Sequence, residues 1–366
     1  MEDFIRKHPE TMLSPSDCRN LLLQMAFALF VAADRFGLKH YDVKLLNFFL
    51  QSATDASIPE RNHPDVVLRY GVGSHVFRLR MPPSSAYIAK LADYGTSVTR
   101  TDTDGQPVSL GQFTTLENTP PEYLILGNAA EQGYGHDNFG LGLCMLHLFT
   151  GHAPYEEILD KVICPDTLKG KLRKIWKQKS YSVICTVMFD NDQQIENQIL
   201  YDTLYRYLVL FGIPEKRFNS EKHGKVWKAI NDTLCRKGSN KKCPDKDIFD
   251  KDRENFSLAI GSDERIACAR QRLLVSSVVQ CVTVSSLLFL YVIHVSANFC
   301  KGMDGAMELL LSLVSFDPKE RATPLEVINS KFMYDLIEDG NALHCENVMV
   351  KSYTAYLTNN QVSNAE

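Results

Sequence analysis

No Cys-x-x-Cys pair occurs among the ten cysteines, and no histidines stand at a spacing that would complete a zinc site. That excludes a structural zinc module and a disulfide-knit secreted scaffold, and it predicts reduced thiols in an intracellular, cytoplasmic protein. The opening MEDFIRKHPE is charged and runs into no apolar h-region, so no signal peptide is expected. Neither charge dominates: 40 Lys and Arg face 44 Asp and Glu, for a net charge of −4, which gives nucleic acid no general purchase. The 366 residues are 45% hydrophobic and 23% charged, ordinary for a soluble chain with two or three modest domains or one large core.

What is present begins with SPSDCRNLLLQMAFALFVAADRF, residues 14–36. Ser14 is a natural N-cap, Pro15 suits the first helical position, and Asp17 stands where a capping box needs it. Leu22, Met25, Ala26, Leu29, Phe30, Ala33 and Phe36 recur at helical spacing, and Gly37 ends the pattern. Two strand-length apolar runs follow, NFFLQ and YIAKLADYG. Between them residues 65–81 read as a hairpin turning at GVGS, with Phe77, Leu79 and Met81 alternating against Arg78 and Arg80. Residues 137–150 are apolar nearly all round and predict a buried helix. From about 158 to 270 helical pieces alternate with polar linkers, and GAMELLLSLVSF then predicts a last apolar helix before DPKERATPLEVI.

The stretch between the first helix and the first strand carries the candidate chemistry: His40-Tyr41-Asp42-Val43-Lys44-Leu45-Leu46-Asn47. Four further motifs follow in order. They are Asp93-Tyr94-Gly95 after a strand, Pro120-Pro121-Glu122, Asp137 with Gly142, and Asp317-Pro318 with Arg321. Together they resemble the catalytic loop, D-F-G, A-P-E, D-x-W-x-x-G and C-terminal arginine of the eukaryotic protein kinases, over residues 14–333. The resemblance implies a mainly α fold, the large C-terminal lobe of a kinase with small β-hairpins and a long insertion. It implies ATP and Mg²⁺ as cofactors and Ser/Thr side chains of a protein as substrate. Asp42 would accept the hydroxyl proton, Lys44 would offset charge on the phosphoryl group, and Thr115 would contact both, as serine/threonine kinases have it. Asn47 and Asp93 would supply hard oxygens to Mg²⁺. His40 would hold the loop from the core, Gly95 would let the backbone turn, and Asp137 would accept N–H bonds from the catalytic loop. Glu122 and Arg321 would form a buried ion pair.

Three departures accompany the resemblance. Tyr41 replaces the arginine that reads activation-loop phosphate, so control should not depend on that contact. Asp42 and Asp93 are 51 residues apart, and the 65–81 hairpin accounts for the excess as a decorative insertion or a docking element. Only 39 residues precede His40, too few for the small lobe with its glycine-rich loop, strand lysine and helix glutamate, so the expectation is either a fragment of a longer kinase or a degenerate lobe kept for binding; YGVGSH lacks the third glycine and lies on the wrong side of Asp42. The expected organisation is a kinase-like lobe over 1–157, an inserted region over 158–300, the lobe's last helices over 301–335 and a tail over 336–366.

Two runs remain. Residues 273–300 hold no Lys, Arg, Asp or Glu, which suits a core segment, an interfacial anchor, a translated non-coding insertion or, less favoured, a membrane span. Residues 169–179, KGKLRKIWKQK, hold six basic residues and no acid, which suits a solvated helix face or a meeting with acidic partners or a membrane surface. The functional expectation is ATP-dependent phosphorylation of protein Ser/Thr; the rival is a catalytically inactive kinase-like module that binds partners.

Overall fold

A computed structural model describes residues 1–2, 5, 14–53, 65–99, 118–126, 130, 133–150, 153, 155, 159–176, 194–213, 221–234, 246–253 and 305–338. These are mainly helical, with two small antiparallel sheets of two strands each. Helix α1, Pro15–Phe36, starts as its sequence directs: Ser14 Oγ accepts from Asp17 N at 3.1 Å and Asp17 Oδ2 accepts from Ser14 N at 3.2 Å. Leu22, Met25, Ala26 and Leu29 are buried, and Leu21 and Leu23 join them, because the helix is covered on several sides. The stripe leaves the core at its end, where Phe36 is exposed.

Strands β1 (Phe48–Ser52) and β4 (Tyr87–Leu91) pair antiparallel in register Phe48 to Leu91. Strands β2 (Val66–Val72) and β3 (His75–Met81) form the hairpin, turning at Gly73 and Ser74; Gly73 takes the φ of +59° that a two-residue turn asks of its first position. This hairpin is no surface decoration. Val66, Leu68, Tyr70, Phe77, Leu79 and Met81 are buried in the same hydrophobic cluster as α1. Tyr70 stands edge-on to Phe27 at 4.9 Å, and its hydroxyl donates to Gln24 Oε1 at 3.2 Å. Gln24 in turn accepts from Ala89 N at 2.9 Å and donates to Tyr87 O at 3.0 Å, so one buried amide ties α1, β4 and the hairpin together. Strand β3 gains a further partner from far along the chain: Ile337 bridges to Phe77, Glu338 N donates to Val76 O at 2.8 Å, and Arg69 Nε donates to Glu338 Oε2 at 3.2 Å.

Helices α2 (Pro121–Leu126) and α3 (Gly135–Thr150) follow, the second buried along its length. Next come α4 (Asp166–Trp176), α5 (Gln194–Phe211) and α6 (Glu221–Leu234), a helical stretch at 246–253, then α7 (Ala306–Leu313) and α8 (Pro324–Ile328). The described part of the region marked off as an insertion shares the core: the Tyr207 ring of α5 stands 6.1 Å from that of Phe139 and 5.6 Å from that of Phe316, and its hydroxyl donates to Val314 O at 2.9 Å. Residues 273–300 lie outside the described residues, among which no helix is long and apolar enough to cross a membrane.

Candidate active site

The site forms where the segment after α1 meets the segment after β4. Lys39 and Val98 exchange backbone bonds of 2.8 and 2.9 Å, and Thr96 Oγ1 donates to His40 O at 2.9 Å. Ala92 N donates to Asn47 O at 2.9 Å, extending the β1–β4 ladder by one step. The His40 ring, fully buried, completes the seam: Nδ1 accepts from Asp42 N at 3.3 Å while Nε2 reaches Ala92 O at 2.9 Å. One neutral tautomer, protonated at Nε2, satisfies both contacts. Residues 40–47 are therefore stitched to Ala92, which brings Asp93 to the same end of the β1–β4 ladder.

Three of the candidate groups touch. Asp42 Oδ2 lies 2.9 Å from Lys44 Nζ and accepts from Asn47 Nδ2 at 2.8 Å; the same Nδ2 also donates to Asp42 O at 2.8 Å. The two contacts to Asp42 Oδ2 are charge-assisted, in a site where Asp42 is 7% exposed. Asn47 is oriented by its two bonds, with Oδ1 on the opposite side of the amide. Asp93 is exposed, and its Oδ1 accepts from Gly95 N at 3.4 Å. The left-handed turn belongs to Asp93, φ +61°, and not to Gly95, whose φ is not positive. Tyr41 is likewise left-handed, φ +62°, so strained backbone flanks the acids on both segments.

The loop rests on α3. Asp137, in the first turn of that helix, accepts from His40 N and Tyr41 N, each at 2.7 Å. Burial pushes its carboxyl up to about 6 against the pull of those donors. One turn later Gly140 meets the loop directly: a Cβ there would lie 2.6 Å from Val43 O. Gly142 plays the matching part against α7, beside Leu313 and Val314. Glu122, at the start of α2, forms a two-pronged pair with Arg321: NH1 to Oε1 at 2.7 Å and NH2 to Oε2 at 2.5 Å. Arg321 also donates to Ser315 O and Gly135 O and lies over the Phe139 ring at 5.0 Å. Thr115 lies outside the described residues.

Sequence reading missed an aromatic ladder. The Tyr41 ring stands 5.5 Å from that of His136, which stands 5.3 Å from that of Tyr123, linking the segment after α1 to α2. Burial, with Arg321 and His40 nearby, holds the His136 imidazole down at about 3, so it is a neutral packing ring. Nothing in its sequence context announces that role. Gly140 had a signal: a second glycine within an apolar helix costs helix stability unless something approaches closely.

The donor set suits magnesium. Asn47 Oδ1 and the exposed Asp93 carboxylate are hard oxygens, and Mg²⁺ takes one or two such groups while keeping waters and substrate phosphates. No group of three or more His, Cys, Asp or Glu able to hold a metal occurs among the described residues. A tighter all-protein cage is thus not on offer there.

No family model matches this sequence, and no curated protein matches it. Among solved structures, the crystal structure of a kinase domain superposes with a TM-score of 0.39 at 14% identity, over 91% of this chain and 70% of that one. At that score the functional reading rests on the geometry of the site.

Proposed function

We propose that this chain is a kinase-like lobe that transfers the terminal phosphoryl group of ATP to Ser or Thr hydroxyls of a protein. The observation that carries the reading is the contact set Asp42–Lys44–Asn47, sewn by His40 and Ala92 to the turn that presents Asp93. Asp42 would accept the proton of the attacking hydroxyl. Lys44 would place its ammonium beside the oxygens on which charge changes during transfer, and Thr115 would help position both. Asn47 and Asp93 would hold Mg²⁺, and the bound magnesium nucleotide would supply the phosphoryl group and neutralise its charge. Asp137 and the Glu122–Arg321 pair act at one remove, by fixing the loop and the helix that flank the site.

A second reading is a kinase-like module that binds partners without catalysis. Two measurements separate them. ATP affinity is measured with and without Mg²⁺, and transfer of ³²P to a generic basic protein is compared with that of Asp42→Asn. Metal-dependent binding, together with a signal reduced at least about 10²-fold by the substitution, supports catalysis. Metal-dependent binding with equal transfer supports the binding module. No metal-dependent affinity overturns the assignment of Asn47 and Asp93.

A further inference from the structure

Among the described residues two that are not glycine are left-handed, Asp93 and the far bulkier Tyr41. At a φ of +62° the Tyr41 side chain crowds its own backbone, in a conformation that glycine or asparagine takes with much less strain. Such an outlier persists only where its surroundings over-determine it. Asp42, the proposed base, is the next residue, so the direction of its carboxylate depends on how Tyr41 is held.

Consecutive residues of α3 hold Tyr41 at two points. Asp137 holds the backbone, accepting from His40 N and Tyr41 N at 2.7 Å each. His136 holds the ring: the two rings stand 5.5 Å apart at 68°, edge toward face, in the range where aromatic pairs attract. The torsion φ is the rotation between the peptide plane that carries Tyr41 N and the bond to Cβ. Asp137 fixes the plane, the seated ring fixes Cβ, and the two together fix φ.

The ring of His136 is itself backed. Tyr123 stands 5.3 Å behind it at 86°. Tyr123 N donates to Pro120 O at 3.0 Å, and the neighbouring Glu122 is bound to Arg321 through both carboxylate oxygens. All three rings are buried, so a turn of one must displace another. His136 Nδ1 lies 3.9 Å from Asp137 Oδ1, beyond hydrogen-bond length, and the carboxylate keeps its bonds to the two backbone N–H groups.

We propose that His136 is a positioning residue for phosphoryl transfer: its ring, wedged between Tyr41 and Tyr123, keeps Tyr41 left-handed and thereby aims the Asp42 carboxylate. The inference rests on the reading of Asp42 as the base.

The test uses the full chain with Mg²⁺ and ATP and a generic basic protein as acceptor, with the ³²P transfer of Asp42→Asn subtracted as background. His136→Ala should lower kcat at least about tenfold, with a smaller change in KM for ATP, since transfer needs the aim of Asp42 more than nucleotide binding does. His136→Phe returns a flat ring to the slot and should recover most of the loss. In the folded proteins the amide resonances of Tyr41 and Asp42 should move in His136→Ala and return toward the parent in His136→Phe. A second pair of variants decides the matter even where His136→Ala does not fold. A ring at position 41 that only fills space is better replaced by leucine than by glycine. A ring that holds a left-handed backbone gives the opposite order, because glycine takes that φ unaided, so Tyr41→Gly should keep a higher kcat than Tyr41→Leu. Asp42-dependent transfer with an unchanged kcat in His136→Ala overturns the proposal, as does a higher kcat in Tyr41→Leu than in Tyr41→Gly. Equal transfer by the parent and Asp42→Asn instead overturns the reading of Asp42 as the base, and the proposal with it.

Discussion

Removing the carboxylate of Glu122 should destabilise the fold by about 3 kcal/mol, the lower end of the range for orphaning a buried charge. The Arg321 and Glu122 side chains are 0% and 3% exposed, so water offers the guanidinium little compensation. Of its five hydrogen bonds, two go to Glu122, at 2.5 and 2.7 Å, and the others to the carbonyls of Ser315, Gly135 and Phe316. Those carbonyls keep the charge partly solvated in Glu122→Gln, which is why the lower end applies. The cost should read as a loss of roughly 10²-fold in the folding equilibrium constant by urea denaturation. Arg321→Met should cost at least as much, because it leaves Glu122 buried and unpaired. The double substitution Glu122→Gln with Arg321→Met removes both charges and should lose less than the two singles combined, with a coupling of at least about 2 kcal/mol. Single variants that each cost under ~1 kcal/mol, or a strictly additive double, would refute the reasoning.

Gln24→Leu leaves the buried Ala89 N–H without its acceptor and should cost about 1–3 kcal/mol, with faster hydrogen exchange at Ala89 as the local signature. Gly140→Ala would place a methyl 2.6 Å from Val43 O, so it should destabilise by about 1–3 kcal/mol and shift the backbone resonances of residues 40–44. His136 should contribute an acid limb to stability. Its folded value of about 3 lies below its ordinary 6.5, so the unfolded chain binds the extra proton and stability falls as pH drops from 6.5 toward 3. Asp137, raised to about 6, works in the opposite sense between 3.8 and 6, so the comparison must be with His136→Phe, which keeps Asp137. Relative to that variant, the parent should lose about 1.4 kcal/mol between pH 7.5 and 5.5 in urea titrations; equal slopes would contradict a buried neutral ring.

Much of the fold was written locally. Ser14, Pro15 and Asp17 mark where α1 begins because a capping box and N-terminal proline satisfy the first amides from within a few residues. Gly73 with Ser74 marks the β2–β3 turn for the same local reason. The contact set Asp42, Lys44 and Asn47 could be read because it lies within six residues of chain, and its bonds need no distant partner. Other features depend on packing that one-dimensional spacing does not encode. The hairpin looked like an ornament because alternation tells which face is apolar, not what covers it; α1 and Ile337 do. The turn after β4 fell to Asp93 and not to Gly95, since an aspartate tolerates the left-handed region and His40 fixes Ala92 just before it. Tyr41, His136 and Tyr123 come from three separate segments, and only their assembly makes a stack.

The join between Glu338 and the β2–β3 hairpin has a consequence for biosynthesis. Arg69 and Arg78 sit directly across from each other on adjacent strands, and the carboxylate that reconciles them arrives 269 residues after Arg69. Until that residue has left the ribosome, two like charges face one another in the hairpin and the outer edge of β3 lacks its partner. The β2–β3 hairpin, though made early, therefore matures late, on the timetable of long-range closure, and the nascent chain carries an unsealed strand edge for most of its synthesis.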